Sequence, residues 1–418
     1  MSGLLDLSNE LLVEVCSYLR PYPLPNIAGR PFHCWTRTLG EHDGASFAKL
    51  QAVNSLVRSC RHLYTVLVGE LYDYVPLLTS HRGAKRFMRT IAENNELGDY
   101  VRYASIHLSR DATITDFYHL FWLPSLTVLD LREYGAWKAG QWEGDSPVGP
   151  SPVQTLRLLD CGAHEEALAE LLKFPQALRE LWYEADQGEW DGNLEGEPAV
   201  EFTCEAVRRC MAVHAGSLAQ LVFTRPPLVH EGLGYSDAID LEDFDHLRSL
   251  SIHQVFLAGL ISNTHVSQCL PPTLEELEVF YDDSGYVNLL EEGDISHPHW
   301  LLTLLEELVG QNNKLKQLKR IRIVALEWDT WMEDEENAED DSDSSDGSST
   351  GDLQGSGDVQ LQGHPSSSWR PPRLLLDLLV ESGICFSIFL HPQRRARLTP
   401  DHVKGFADTW EDHWEPGS

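Results

Sequence analysis

Three groups of side chains in this 418-residue sequence carry metal-ligating chemistry. His297 and His299 flank Pro298, whose ring stiffens the turn between two imidazoles. Cys161 and His164 stand three residues apart, and His33, Cys34 and His42 share one proline-rich stretch. A structural zinc site needs four such donors at finger-like spacing, and a catalytic one needs three. None of these groups has a further Cys or carboxylate at that spacing, so neither a metal nor another cofactor is expected. Nucleophilic chemistry is no better supplied. The sequence has no Gly-x-Ser-x-Gly elbow and no phosphate-binding loop, and its Ser, His and Asp residues lack the order of a triad. No catalytic residue is assigned.

What does recur with regular spacing is apolar. The pattern apolar-x-x-apolar-x-apolar appears at Leu126/Leu129/Leu131, Val153/Leu156/Leu158, Leu178/Leu181/Tyr183 and Leu218/Leu221/Phe223. It returns at Leu247/Leu250/Ile252, Leu274/Leu277/Val279 and Leu318/Ile321/Ile323, with an earlier copy at Val101/Ala104/Ile106. Ile384 to Phe389 reads as a closing strand. Start-to-start distances are 25, 27, 25, 40, 29, 27 and 44 residues. Five of the seven fall within the roughly 20–29 residues of leucine-rich repeats.

Helical patterns lie between these strands: Phe87, Met88, Ile91 and Leu97; Ala167, Leu168, Leu171 and Leu172; Phe202, Ala206, Val207, Cys210 and Met211; and Leu301, Leu302, Leu305 and Leu308. Strand and helix alternating at such a period predict an α/β solenoid in which each unit buries its apolar face against its neighbours. A doubly wound sheet is the alternative, but no glycine-rich strand-to-helix turn of dinucleotide type occurs.

Period-2 alternation sends the pattern residues inward and their neighbours to the opposite, concave face. That face is expected to present Asp130, Arg132, Arg157, Trp182, Glu184, Val222, Thr224, His253, Glu278, Phe280 and Arg322. Trp182 and Phe280 are the candidate anchors, because aromatic side chains dominate interface energetics.

The first 78 residues read differently. Leu11, Leu12, Val15 and Leu19 form one stripe of a helix of about three turns. Leu50, Val53, Leu56, Val57, Cys60, Leu63, Tyr64 and Leu67 repeat the spacing over a second helical stretch. Two short helices cannot bury this much apolar surface between themselves, so a partner or the following domain must cover the rest. The segments Leu7-Ser8-Asn9-Glu10-Leu11-Leu12 and Ser59-Cys60-Arg61-His62-Leu63-Tyr64 resemble an F-box, with Ser8 where the family usually carries proline. A stretch from Pro21 to about Ser46, rich in Pro and Gly, is longer than the usual connection between the first two helices.

The junction from Thr79 to Arg102, with Asn95-Glu96-Leu97 close to Val101-Arg102, is similar to that of fungal F-box proteins with degenerate leucine-rich repeats. The resemblance covers nearly the whole chain. It implies an all-helical F-box (1–78, internal loop at about 21–46) followed by a leucine-rich-repeat-like α/β solenoid (79–332). An acidic insertion (333–369), a last solenoid helix and strand (370–395) and a C-terminal tail (396–418) complete the domain plan.

The implied function is the substrate-recognition subunit of a Skp–cullin–F-box ubiquitin ligase. Leu7, Leu11, Leu12, Val15, Leu19, Leu50, Val53, Leu56, Cys60 and Leu63 match the adaptor-binding and module-core pattern. The partners implied are a Skp-type adaptor, through it a cullin, and a target protein. An F-box scaffold that binds the adaptor without directing ubiquitin transfer is the alternative.

Charge and composition narrow the partners. The formal charge is −33, which repels nucleic-acid phosphates and anionic lipid, so neither is an expected partner. Ten acidic and no basic residues lie between Glu333 and Asp352, a composition that favours disorder. No apolar run approaches the roughly 20 residues of a membrane span, and no secretory signal opens the sequence. Eight scattered cysteines without a Cys-x-x-Cys pair suit a cytoplasmic or nuclear setting.

Overall fold

A computed structural model describes residues 6–19, 49, 51–78, 81–107, 117–132, 150–161, 165–185, 203–224, 238–258, 266–281, 300–310, 313–325, 373–390, 394–398 and 414–416. Leu50, the Pro21–Ser46 stretch, the acidic 333–369 segment, His33, Cys34, His42, His164, His297 and His299 lie outside these residues.

The chain opens with α1 (Asn9–Ser17), a helix α2 over residues 51–59, and α3 (Arg61–Asp73). Ser8 is extended and its hydroxyl accepts the Leu11 N–H, satisfying one of the orphan donors at the start of α1. Leu12 and Cys16 of α1, Val53 and Val57 of α2, and Leu63 and Leu67 of α3 form one buried cluster. Leu7, Leu19, Leu56 and Cys60 pack at its margin. Cys60 is extended, which breaks the chain direction between α2 and α3.

From α3 the chain runs into a parallel sheet: β1 (Tyr74–Leu78), β2 (Tyr103–His107), β3 (Val128–Arg132), β4 (Thr155–Cys161) and β5 (Glu180–Ala185). It continues with β6 (Gln220–Thr224), β7 (Ser249–His253), β8 (Glu276–Tyr281), β9 (Arg320–Ala325) and β10 (Cys385–Leu390). Spatial order follows chain order, and every neighbouring pair from β1 to β10 is parallel. Two short antiparallel strands, β11 (Arg394–Leu398) and β12 (Trp414–Pro416), extend the sheet past the point where the sequence reading ended it. β1 was also not foreseen, since its five residues lack the repeated pattern.

Helices α4 (His81–Glu93), α5 (Asn95–Gly98), α6 (Glu165–Leu172), α7 (Cys204–Met211), α8 (Gln254–Ala258), α9 (Val266–Cys269), α10 (Trp300–Val309) and α11 (Arg373–Ser382) lie in the connections. Each repeated motif coincides with a strand, and its last two apolar positions align across the sheet. Ala104, Leu129, Leu156, Leu181, Leu221, Leu250, Leu277, Ile321 and Phe386 form one row of neighbours. Ile106, Leu131, Leu158, Tyr183, Phe223, Ile252, Val279 and Ile323 form the next. Both rows are buried in one continuous core with Leu168, Leu171, Val207, Met211, Leu304, Leu305 and Leu379 of the helices. At roughly 25 cal/mol per Å² of apolar surface, this shared core is the main source of stability.

Local signals set the helix ends. Thr203 caps α7 by accepting the Ala206 N–H at 3.1 Å. Gly383 closes α11 with φ +71°, a left-handed conformation that suits glycine, and donates its N–H to the Leu379 carbonyl. Among the described residues no helix is long and apolar enough to cross a membrane.

Candidate functional site

Alternation along the strands places three further rows on the face opposite the helices. The first row runs Tyr103, Val128, Thr155, Glu180, Gln220, Ser249, Glu276, Arg320 and Cys385. The middle row runs Ser105, Asp130, Arg157, Trp182, Val222, Ser251, Glu278, Arg322 and Ser387. Arg132 and the aligned pairs Glu184 with Thr224 and His253 with Phe280 belong to the third. All eleven concave-face residues named from the sequence therefore lie on this face.

They are not the open surface that the alternation suggested. Asp130, Trp182, Glu184, Val222, Thr224, His253, Glu278 and Phe280 are buried, and Arg132, Arg157 and Arg322 are half-buried. Trp182 and Phe280 thus make poor anchors for a partner arriving from solvent. Alternation fixes which way a side chain points from its strand, but not what else packs over it.

The charges of the middle row are matched by neighbours one strand away. Tyr103 stacks on Tyr74 with ring centroids 4.3 Å apart and donates its hydroxyl to Asp130. Arg157 Nη1 lies 3.8 Å from Asp130 and Nη2 3.5 Å from Glu180, while its guanidinium sits 4.3 Å from the centre of the Trp182 ring. Burial raises the Asp130 carboxyl above its ordinary range, and Arg157 and Tyr103 oppose that shift. Four strands along, Ser251 donates to Glu278 at 3.1 Å and Arg322 contacts the same carboxylate at 2.5 Å. Burial again raises the Glu278 carboxyl, with Arg322 opposing. These charges are paired across strands, which is how buried charges are tolerated, although Asp130 Oδ1 and Arg157 Nε make no hydrogen bond.

The accessible part of the face lies one position earlier. Thr155, Glu180, Gln220, Ser249, Glu276 and Arg320 of the first row are half-buried. Just before the strands begin stand Arg102, Arg179, Arg248 and Lys319, all exposed. The sequence reading missed these positions because it took residues between and after the paired apolar positions. The same period-2 rule applied one step backwards finds the first row.

A second surface lies on the helical module. Leu11, Val15 and Tyr18 share one face of α1 and are 51%, 42% and 68% exposed, and Tyr64 of α3 is exposed as well. Leu12 and Cys16 of the same helix are buried, so the stripe named from the sequence divides into a core half and a solvent half.

Among the described residues no group of three or more His, Cys, Asp or Glu could hold a metal ion. No protein-family model matches the chain, and no curated protein matches it.

Proposed function

We propose that the chain is the substrate receptor of a Skp–cullin–F-box ubiquitin ligase, with an N-terminal F-box and a leucine-rich-repeat-like solenoid. The observation that carries this reading is the exposed Leu11/Val15/Tyr18 stripe on a helix whose other side is locked by Leu12 and Cys16. Removing such a stripe from water stabilises an association, which is why an apolar face kept open on a small helical module reads as a partner site. The motifs around Leu7 and Cys60 name the partner class as a Skp-type adaptor.

The solenoid half of the proposal is supported by a parallel sheet whose spatial order equals its chain order. A doubly wound sheet reverses its strand order at a switch point, and no such reversal occurs between β1 and β10. In this role the chain contributes proximity and orientation to the ubiquitin transfer rather than chemistry.

The test is co-expression with a fungal Skp-type adaptor, beside a Leu11→Asp/Val15→Asp variant. Wild-type complex formation and its loss in the folded variant are the expected results. Failure of a well-folded wild type to bind overturns the proposal.

A further inference from the structure

We infer that the outward face of α4 is the docking surface for the acidic stretch between Glu333 and Asp352 of the same chain. The inference is independent of the receptor reading above.

α4 separates its residue types around the helix axis. Ile91 is buried in the core, and Phe87 and Met88 of the same stripe pack against it. Lys85, Arg86 and Arg89 stand on the opposite side, and all three are exposed. Arg82 falls on their stripe by position, since 82, 85, 86 and 89 are spaced i, i+3, i+4 and i+7.

These cations lack the matching carboxylates that the sheet provides for its own. Among the described residues neither Lys85 nor Arg86 forms an ion pair. Arg89 meets Glu93 at 3.7 Å, but both groups are 71% exposed, and a pair so open holds little. From residue 49 to residue 92 the sequence has seven Lys and Arg against Glu70 and Asp73, in a chain of formal charge −33.

Their place on the helix adds a second demand for negative charge. The N-terminal end of a helix carries partial positive charge, and carboxylates there are the usual complement. The first turn of α4 has none, and His81, Arg82, Lys85 and Arg86 fall in its first half instead. An anionic occupant offsets both the mutual repulsion within the stripe and its conflict with the helix dipole.

The chain itself supplies that occupant. The stretch from Glu333 to Asp352, outside the described residues, has ten acidic residues and no basic one. In a chain of this charge such a run is repelled by most of the surface and drawn to a cationic face. The tether is long enough. α4 lies in the β1–β2 connection, and β2 is seven strand steps, or about 34 Å along the sheet, from β9. Residue 342 is 17 residues past β9 and 31 before α11, which allows extended reaches of about 56 and 100 Å. A segment tethered in this way meets the face at roughly millimolar effective concentration.

The test uses full chains and a fluorescein-labelled peptide of residues 333–352, with affinity read by fluorescence anisotropy. One chain is wild type, and in the other residues 333–352 are replaced by Gly and Ser at equal length. The Gly/Ser chain is expected to bind the peptide at least about tenfold more tightly than wild type, in which the tethered copy competes. In that chain Lys85→Glu/Arg86→Glu is expected to weaken binding at least about tenfold, and Lys85→Gln/Arg86→Gln by less. Arg395→Glu/Arg397→Glu on β11, the rival cations, is expected to leave binding unchanged. Circular dichroism checks that each variant is folded. In wild type, carbodiimide coupling of Lys85 to a carboxylate within 333–352, mapped by mass spectrometry, is expected at a yield independent of protein concentration.

Five results overturn the inference. The first is no peptide binding by the Gly/Ser chain. The second is equal binding by both chains, which leaves the face open to an outside acidic partner. The third is unchanged affinity on α4 reversal, and the fourth is equal loss on β11 reversal. The fifth is a coupling yield that is absent, or that rises with protein concentration and so makes the occupant a second copy.

Discussion

Arg322 on β9 and Glu278 on β8 stand opposite each other in register, with Nη1 and Oε2 2.5 Å apart and both side chains mostly buried. Ser251 on β7 donates to the second carboxylate oxygen, so three consecutive strands are tied by one polar chain. Breaking a buried pair from one side leaves the other charge without compensation, which is worse than never having built the pair.

Arg322→Ala is therefore expected to destabilise the chain by about 3 kcal/mol or more, read by chemical denaturation. The double replacement Glu278→Leu/Arg322→Leu is expected to recover most of that loss, because no charge is stranded.

The same carboxylate predicts a pH effect. Burial raises the Glu278 pKa in the folded state above its ordinary value of 4.5, despite the opposing Arg322. A raised folded pKa contributes stability that is fully present below the unfolded value and is lost as pH rises through the folded one. Glu278→Gln mimics the protonated group. Its Tm relative to wild type is expected to climb as pH rises from below 4.5 through the folded pKa. A difference flat across that window argues against the shift.

Trp182 and Phe280 give a prediction opposite to the one their residue types invite. Both are buried, so Phe280→Ala is expected to cost about 3–5 kcal/mol of stability, as for other core aromatic truncations. Trp182→Ala additionally removes the ring under the Arg157 guanidinium. Thermal denaturation checks both, and a Tm equal to wild type for either shows that the face is open.

Leu11 and Leu12 are adjacent in sequence and about 100° apart around α1, which puts one in solvent and the other in the core. Leu12 is 1% exposed and Leu11 51%, so Leu12→Asp is expected to unfold the helical module while Leu11→Asp leaves it folded. Limited proteolysis of the two variants separates the outcomes. Equal protease resistance contradicts the division of the helix into core and solvent halves.

Thr203→Ala removes the hydroxyl that accepts the Ala206 N–H and is expected to cost about 1 kcal/mol. Thr203→Ser keeps the oxygen and is expected to restore most of it. A Ser variant as unstable as the Ala variant points to lost methyl packing instead.

Much of the architecture was determined by the sequence alone, because it rests on short-range periodicity. Leu129 and Leu131, or Leu277 and Val279, alternate as a strand requires, and the units recur every 25 to 29 residues where no insertion intervenes. Helices α6 and α10 were legible for the same reason, with Ala167, Leu168, Leu171 and Leu172 spaced to share one face. Ser8 suits a helix start by its hydroxyl, whereas the Thr203 cap of α7 was seen only in the structure.

Only the tertiary structure decided which outward side chains stay in water. Asp130, Trp182 and Phe280 obey the same alternation as Thr155 and Gln220, yet the first three are buried and the last two are not. Partners were likewise unreadable in advance. Glu278 and Arg322 are 44 residues apart, and Tyr103 and Asp130 are 27 apart. They meet because parallel strands align equivalent positions of successive units. The pattern within a unit is local, whereas burial and pairing depend on the register between units and on whatever chain lies over the sheet.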